Sequence, residues 1–413
     1  MKRTGDGRFD QRFLVLVTLG LIAFGLVMVY SATSASAALG NGDPMSYLKR
    51  QAAYALLGVV VMAIASRLEY HRFRYFAPPL VLIALVLCAA VLVVAPAVNG
   101  AHRWFLVGPA SFQPSEVAKL ALCLFAASYL SRRGPPRSLG ELIRPLGLLT
   151  AIFGGLVLLE PDLGTTIALG GMMLAIFLVA GVPMRVLVGA TFLALGAGTL
   201  AIWTEPYRRA RLFSFLHPWG DAQGAGFQIV QATIGIGSGQ VGGRGLGQSI
   251  EKIGYLPEAH TDMIFAVIGE ELGLVGSVLV VGAFAAFALA GLRIALRCRD
   301  PFGKLLASGI TALVCGQAAI NLAAVLGIAP LTGVPLPFVS YGGSSLVVLL
   351  AGVGILLNIA VNERVVAARL PDRRRRHRRT RATGARRRRG AARAGSERDV
   401  RRVARPRRVA AGS

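Results

Sequence analysis

The chain has 413 residues, of which 54% are apolar, and its mean hydropathy is +0.60, yet its formal net charge is +25. This composition excludes an ordinary water-soluble domain, in which roughly a quarter of the residues carry charge, against 16% here. The four cysteines show no CxxC spacing, which argues against a disulfide framework or a zinc site.

Ten apolar runs follow one another along the chain, and each is a candidate transmembrane helix. A spanning helix needs ~20 mostly apolar residues, because only a helix satisfies its own backbone groups in hydrocarbon. The sequence therefore predicts an all-α polytopic integral membrane protein with about ten transmembrane helices and a long extracytoplasmic loop between helices 7 and 8. The predicted spans lie near residues 14–33, 52–66, 77–98, 116–130, 145–159, 165–181, 184–203, 263–292, 305–326 and 345–361.

The basic residues of the connecting segments predict the orientation. With the N-terminus inside, the cytoplasmic segments before the C-terminal tail hold 16 Lys and Arg residues, and the outer segments hold nine over a greater length. Both termini are then cytoplasmic. The predicted organisation is a cytoplasmic N-terminus at 1–13, a membrane domain at 14–362 with its outer loop at 204–262, and a cytoplasmic tail at 363–413.

The tail concentrates the excess charge, since the stretch from Pro371 to Ser413 holds 18 Arg and only three acidic residues. With almost no large apolar residue it cannot bury a core, so we expect it to be disordered. Blocks of like charge often bind nucleic acid, but a basic segment directly after a span is explained more simply by attraction to anionic membrane lipid. We therefore expect a lipid partner for the tail and no nucleic-acid partner.

Two outer loops carry candidate site residues early in the chain. In NGAHRWFLVGPASFQPSE, a helix is predicted to begin near Pro114. Glu116 and Lys119 then share one helix face, either as an internal ion pair or as functional charges at the membrane edge. In LLEPDLGTT, Glu160 and Asp162 bracket a tight turn and either hold a cation or merely cap a helix.

The loop 204–262 ends in YLPEAHTD and leads directly into the eighth span. Asp262 therefore lies at the outer membrane boundary, where partial desolvation raises the pKa of a carboxyl group and makes it a better base. The alternative is a simple helix cap. The same loop contains GSGQVGG, which matches GxGxxG, but no strand or βαβ unit surrounds it. We expect its glycines to let the backbone pass close to lipid or to a neighbouring helix.

The last outer loop, GIAPLTGVPLPFVSYGGSS, is rich in proline and glycine and is also apolar. Irregular backbone is tolerated at membrane depth only where protein buries it or where it lines a cavity. This pattern predicts an ordered re-entrant segment.

These blocks resemble the SEDS family of bacterial cell-wall proteins, which includes FtsW, RodA and SpoVE, and the resemblance covers about residues 10–362. The family's long signature matches from Asn321 to Ser345 through Gly327, Pro330, Gly333 and the run SYGGS. NGAHRW with FQPSEVAKL, EPDLGTT and LPEAHTDMIFAVIGEELGLVG match further blocks in the expected order. LPEAHTD followed by IGEELG is more similar to the FtsW branch than to the RodA branch.

The resemblance implies a peptidoglycan glycosyltransferase in the bacterial cytoplasmic membrane that polymerises lipid II with a class B penicillin-binding protein and other divisome proteins, at the division septum. It places the essential aspartate on Asp262, acting as the base or holding a divalent metal, Mg or Mn, together with Glu160 and Asp162. We expect the substrate to be bound by residues of the matching blocks and by arginines that face the diphosphate. These residues are Arg103, Glu116, Lys119, Arg208, Arg211, His260, Ser340, Gly342 and Gly343.

Three alternatives remain open at this stage. A lipid II flippase would also have ten spans with charges at the membrane edge, but it needs a polar path through the bundle, whereas the candidate residues collect at one face. A RodA-type elongation polymerase would share the chemistry. A non-catalytic scaffold for a penicillin-binding protein would not need Asp262.

Overall fold

The computed structural model describes residues 6–38, 43–97, 101–108, 110–224, 226–253 and 256–369. Of the predicted tail at 363–413, residues 363–369 are helical rather than disordered, and the part from residue 370 onward lies outside these ranges. The described helices are α1 Asp6–Ala38, α2 Pro44–Arg67, α3 Phe73–Val94, α4 Pro114–Arg133, α5 Leu139–Leu142, α6 Leu148–Leu159, α7 Leu163–Ala180, α8 Met184–Thr204, α9 Pro206–Leu216, α10 Phe227–Ser238, α11 Ile264–Arg297, α12 Pro301–Val325 and α13 Gly343–Arg369.

Every predicted span coincides with a helix, so the all-α membrane class is confirmed. Within the described ranges, nine helical segments are long and apolar enough to cross a membrane; α5 and α6, joined by a π-helical turn, count as one of them. The remaining predicted span, the fourth in chain order, is α4, which is not among the nine and carries four charged side chains in 20 residues. At 1.5 Å per residue, α4 is about 30 Å long, which is enough to cross the hydrocarbon core.

Helix α4 lies inside the bundle, against α3, α7 and α12. Thirteen of its 20 residues are buried. A helix enclosed by other spanning helices can carry charged residues, because protein rather than lipid surrounds them. We therefore treat α4 as the tenth crossing, which agrees with the predicted placement of the two termini on one side.

A short hairpin lies in the outer loop between α3 and α4. Strands β1 Phe105–Val107 and β2 Ala110–Phe112 pair antiparallel, with Phe105 opposite Phe112. The sequence had indicated only a loop here. The hairpin leads into α4, which begins at the predicted Pro114.

The re-entrant segment 327–342 has no regular helix or strand, and protein buries much of it, as predicted. Val334, Leu336, Phe338 and Val339 are all at most 2% exposed. Gly25 on α1 shows how closely the bundle packs against this segment, since a Cβ at Gly25 would lie 2.7 Å from the carbonyl oxygen of Phe338. The segment is therefore part of the core.

The glycine run after α10 packs against α11. A Cβ at Gly239 would overlap the carbonyl oxygen of Gly269, and a Cβ at Gly243 would overlap that of Glu271. The expectation of close approach to a neighbouring helix is confirmed at these two glycines. At Gly237 and Gly242 a Cβ would have no described neighbouring atom within 4 Å, so no helix packs closely there, and close approach to lipid stays a prediction.

Two buried carboxylates on α11 fasten the outer loop to the bundle. Glu270 accepts hydrogen bonds from the Ser249 hydroxyl at 2.5 Å and the Ile250 amide at 2.9 Å. Glu271 forms an ion pair of 2.8 Å with Lys252 and accepts a hydrogen bond from Ser31 of α1 at 2.7 Å. The two neighbouring glutamates thus serve different contacts, and the loop is fixed where it approaches Asp262.

Candidate active site

Asp262 lies in the turn before α11, and one amide fixes its backbone. Asn321 of α12 donates from Nδ2 to the carbonyl oxygen of Asp262 at 2.7 Å and to that of Val334 at 2.8 Å. The start of α11, the helix α12 and the re-entrant segment are therefore joined at one point. The Asp262 carboxylate faces that segment, because a Cβ at Gly333 would lie 3.9 Å from Oδ2. Gly333 adopts φ +71°, a conformation that favours glycine.

The surroundings of Asp262 raise the pKa of its carboxyl group to about 6. Burial is the largest cause, and the nearby carboxylate of Glu258 raises the pKa further. The positive charge of Arg211 and a hydrogen bond from Thr261 lower it and so oppose the rise. A carboxylate with this pKa is mostly ionised at neutral pH and is a stronger base than a solvated aspartate.

Two arginines of α9 lie beside the same part of the outer face. Arg208 and Arg211 line one small cavity together with Pro161 and Leu331. Arg211 donates to the carbonyl oxygen of Leu331 at 3.1 Å and is close enough to Asp262 to lower the pKa of that carboxyl group. Arg208 donates to carbonyl oxygens near the ends of α6 and α8, at 2.5 and 2.8 Å, and so joins those helices.

Arg103 binds the turn between α6 and α7. Its Nε donates to the carbonyl oxygen of Glu160 at 2.5 Å, and its Nη2 donates to that of Pro161 at 2.6 Å. These contacts give Arg103 a role in holding the turn, while its predicted contact with a diphosphate stays a prediction.

The two carboxylates of this turn have different environments. Asp162 is the N-cap of α7 and accepts hydrogen bonds from the backbone amide and the hydroxyl of Thr165, at 2.9 and 2.8 Å. Glu160 is fully buried, and neither of its carboxylate oxygens has a hydrogen-bond partner among the described residues. Burial, and then the charge of Asp162, raise the pKa of Glu160 to about 8, against the opposing effect of Arg103.

The predicted metal-ligand set is not assembled. In the part of the chain that the structure describes, no three His, Cys, Asp or Glu side chains are placed to hold one ion. In the turn, Asp162 is engaged as the helix cap of α7, whereas Glu160 is buried without a hydrogen-bond partner among the described residues. The three carboxylates that the sequence grouped as metal ligands therefore do not form one cluster, and metal binding at Asp262 stays a prediction.

Glu116 and Lys119 form a buried ion pair within α4. Lys119 Nζ lies 2.7 Å from Glu116 Oε1, and the side chains of Lys119 and Glu116 are nearly inaccessible, at 1% and 3% exposed. Of the two interpretations that the sequence left open, the structure favours the internal pair. It places these residues in the bundle interior rather than on the exposed outer surface.

The residues Ser340, Gly342 and Gly343 are held by one face of α2. Gln51 donates to the carbonyl oxygen of Ser340 at 3.1 Å and accepts from the amide of Gly342 at 3.3 Å. The ring of Tyr54 packs so closely that a Cβ at Gly343 would lie 2.5 Å from it. Only glycine fits there without displacing the ring.

The sequence patterns considered above did not identify this α2 face. Tyr47, Arg50, Gln51 and Tyr54 recur at the three- and four-residue spacing of one helix face, and that spacing is the signal that could have identified them. His260, which the sequence did single out, contacts this face through Tyr47, with ring centroids 5.1 Å apart. Burial lowers the pKa of His260, with Glu258 opposing, so its ring is neutral at neutral pH.

The ion pair in α4 yields a test of its role. We expect Lys119→Met to lower the free energy of unfolding by about 3–5 kcal/mol, because it leaves a buried carboxylate without its partner. The double variant Glu116→Gln with Lys119→Met should recover most of that loss, since no unpaired charge remains. The measurement is the unfolding midpoint in detergent, with Arg132→Met at the exposed end of the same helix as the matched control.

A substrate-binding role for the pair makes the opposite prediction. In that case Lys119→Met would leave the unfolding midpoint unchanged while raising the KM for the substrate, and the double variant would be no better than the single one.

The comparisons with known proteins agree on one family. A family model described as a cell cycle protein of the FtsW, RodA and SpoVE type matches residues 11–365. A probable peptidoglycan glycosyltransferase FtsW of Geobacter metallireducens is 40% identical over 356 residues, 86% of this chain and 95% of the relative. The protein of the same name in Halomonas elongata is 40% identical over 365 residues, 86% of this chain and 91% of the relative.

Two solved structures share the fold. A chain from a peptidoglycan synthase complex, described as coordinating polymerization and crosslinking, aligns with a TM-score of 0.70 and 34% identity over 85% of this chain and 97% of that chain. The rod shape determining protein RodA of Thermus thermophilus aligns with a TM-score of 0.64 and 32% identity, over 85% and 96% of the two chains.

Proposed function

Since the chain belongs to the FtsW, RodA and SpoVE family of cell cycle proteins, we propose that it is a peptidoglycan glycosyltransferase that polymerises lipid II at the outer face of the cytoplasmic membrane. The family resemblance drawn from the sequence is confirmed, and the chain is a multi-pass membrane protein. The curated relatives at 40% identity carry the glycosyltransferase name.

One observation carries the proposed mechanism, which is the placement of the Asp262 carboxylate. It stands at the outer end of α11, its backbone is fixed by Asn321, and the pKa of its carboxyl group is raised to about 6. A fixed base at a membrane edge suits a substrate whose polyprenyl chain stays in the bilayer while its sugars project outward.

In the proposed reaction, the 4-hydroxyl of one sugar attacks the anomeric carbon of another. As the new C–O bond forms, Asp262 accepts the hydroxyl proton, and the bond from the anomeric carbon to the diphosphate oxygen breaks, with its electron pair leaving on the lipid diphosphate. A positioned base contributes about 10²–10⁴ to the rate. Arg211 lies near enough to interact with both the base and the developing charge, and its guanidinium offers paired donors to a phosphate.

We derive no step through a metal, because the described residues do not gather the predicted three carboxylates. A requirement for Mg or Mn therefore stays a prediction, in which Asp262 would share the ion with phosphate oxygens of the substrate. Assays with each ion and with a chelator address it directly.

We further propose that the partner is a class B penicillin-binding protein that crosslinks the strands, within a complex that also contains other divisome proteins. What supports a partner is the similarity to a chain of a peptidoglycan synthase complex. No contact among the described residues favours a lipid II flippase. A polar transport path would use charged side chains inside the bundle, but such charges are neutralised in two ion pairs, Glu116 with Lys119 and Glu271 with Lys252.

The catalytic assignment predicts the behaviour of one isosteric variant. Asp262→Asn should abolish glycan formation from purified lipid II in reconstituted membranes, because an amide cannot accept the proton. The protein should remain folded, since the Asn321 contact uses the backbone carbonyl of residue 262. Near-normal glycan synthesis by this variant, with or without a penicillin-binding partner, would contradict the assignment, and a scaffold role would then gain support.

The pKa of Asp262 predicts the pH dependence. The base must be ionised, so kcat/KM should fall as the pH falls through about 6. Glu258→Gln removes a charge that raises this pKa, and it should therefore move the acid limb of the profile to lower pH. Glu205→Gln, at another exposed outer position, is the matched control and should leave the limb in place. A limb that does not move in the Glu258 variant would count against Asp262 as the titrating group.

We also propose that the enzyme acts at the division septum, which is supported by the FtsW name of the relatives. Depletion of the protein in its host should produce filamentous cells with arrested septa, as expected when septal synthesis stops. Rounded cells that still divide would instead assign it to elongation. Microscopy of a fluorescent fusion, seen either at septa or along the side wall, is the accompanying measurement.

A further inference from the structure

Three aromatic rings from distant parts of the chain meet at His260, two residues before Asp262. The ring centroids of Tyr47 and His260 are 5.1 Å apart, those of Tyr47 and Tyr341 are 5.4 Å apart, and those of His260 and Tyr341 are 5.6 Å apart. Tyr47 meets each of the other two rings edge to face, at interplanar angles of 68° and 72°, and the rings of His260 and Tyr341 are tilted at 53°. We call these three residues the aromatic cluster.

The cluster is held rigidly by backbone contacts. The amide of Tyr341 donates to the carbonyl oxygen of His260 at 2.9 Å, which ties the segment before α13 to the turn before α11. Gln51, one turn after Tyr47 on α2, bonds both Ser340 and Gly342 on either side of Tyr341. Rings fixed in this way lose little conformational entropy when a ligand binds.

The three rings are only half-buried, although much of the surrounding re-entrant segment is fully buried. If the cluster served packing alone, we would expect its rings to be as buried as the side chains of Phe338 and Val339, which are 2% and 0% exposed. Burial raises the pKa of Tyr341, while a hydrogen bond from Arg50 opposes the rise, so the hydroxyl keeps its proton at neutral pH. The cluster therefore presents neutral ring surfaces with polar edges.

This combination suits a sugar. One face of a pyranose ring is lined by C–H groups that pack on an aromatic surface, and its hydroxyls need donors and acceptors at the edge. Tyrosine hydroxyls and a neutral imidazole provide both. A diphosphate, in contrast, is bound by several cations. Arg208 and Arg211 of α9 lie together on one small cavity, whereas Arg50 beside the cluster is engaged with the Tyr341 hydroxyl.

We infer that Tyr47, His260 and Tyr341 form a saccharide subsite that binds the pyranose ring presenting the attacking 4-hydroxyl to Asp262. The inference rests on the proposed function for the identity of the sugar. It assigns binding roles to Tyr47 and Tyr341 and explains why His260, two residues from Asp262, is held neutral.

A direct binding measurement tests the subsite without requiring catalysis. The probe is a lipid-free tetrasaccharide of alternating N-acetylglucosamine and N-acetylmuramic acid, added to the full chain in nanodiscs. With 3-fluorotyrosine at position 47, its ¹⁹F resonance should shift and saturate as the probe is added. The same label at Tyr75, an exposed tyrosine of α3, should not respond. Absence of a saturable shift at position 47 would overturn the inference.

Substitutions supply the second measurement. Tyr47→Leu and Tyr341→Leu should each weaken probe binding and raise the KM for lipid II about tenfold, equivalent to about 1.4 kcal/mol, with little change in kcat. Tyr47→Phe keeps the ring and should lose less, and Tyr75→Leu is the matched control. Unchanged KM and probe affinity in folded Leu variants would overturn the subsite.

The two proposals fail in different ways. If Asp262→Asn still polymerises lipid II, the catalytic assignment fails, but saturable binding of the tetrasaccharide at Tyr47 would stand. If Asp262→Asn is inactive and the ¹⁹F label is silent, the enzyme assignment stands and the subsite does not.

Discussion

The hydrocarbon core of the membrane tolerates no unsatisfied backbone group, and this constraint explains how the outer end of the bundle is built. The segment 327–342 has no regular helix or strand, and side-chain amides satisfy several of its backbone groups. Asn321 donates to two carbonyl groups and Gln51 bonds on both sides of Tyr341. The backbone bonds needed to bury an irregular segment are the same ones that fix Asp262 and the aromatic cluster, so stability and site geometry have one origin.

The same constraint explains why charged side chains within the bundle are paired. Inside the bundle, Glu116 is paired with Lys119, and at its outer end Glu271 is paired with Lys252. Removing one partner from such a pair is costly, so these charges are committed to structure. Arg103 is likewise engaged with backbone carbonyls. Asp262 and Arg211 interact electrostatically at the outer face, and the proposed reaction rests on that pair.

The sequence predicted the spans well, because a run of about 20 apolar residues is a local property that hydrocarbon enforces. It also located Asp262, since a carboxylate at the junction of a polar loop and an apolar helix is visible in the chain itself. It did not locate Tyr47 or Gln51, because their partners lie more than 200 residues away. Nor could the sequence show which contacts Asp162 makes, since hydrogen bonds to Thr165 within the turn engage its carboxylate as a helix cap.

Two carboxyl groups near the outer face show how burial and neighbouring groups together determine the protonation state of an acid. Desolvation raises the pKa of both Asp262 and Glu160, to about 6 and about 8. At neutral pH the first is mostly a carboxylate and the second mostly a neutral acid. The difference follows from their neighbours, because Asp262 receives a hydrogen bond from Thr261 and the charge of Arg211, whereas both Glu160 oxygens lack hydrogen-bond partners among the described residues. When the environments of two acids separate their pKa values, the ionised one is the group suited to act as a base. Glu160 can then lie in the turn that Arg103 binds without adding a second negative charge to the face where we propose that the diphosphate binds.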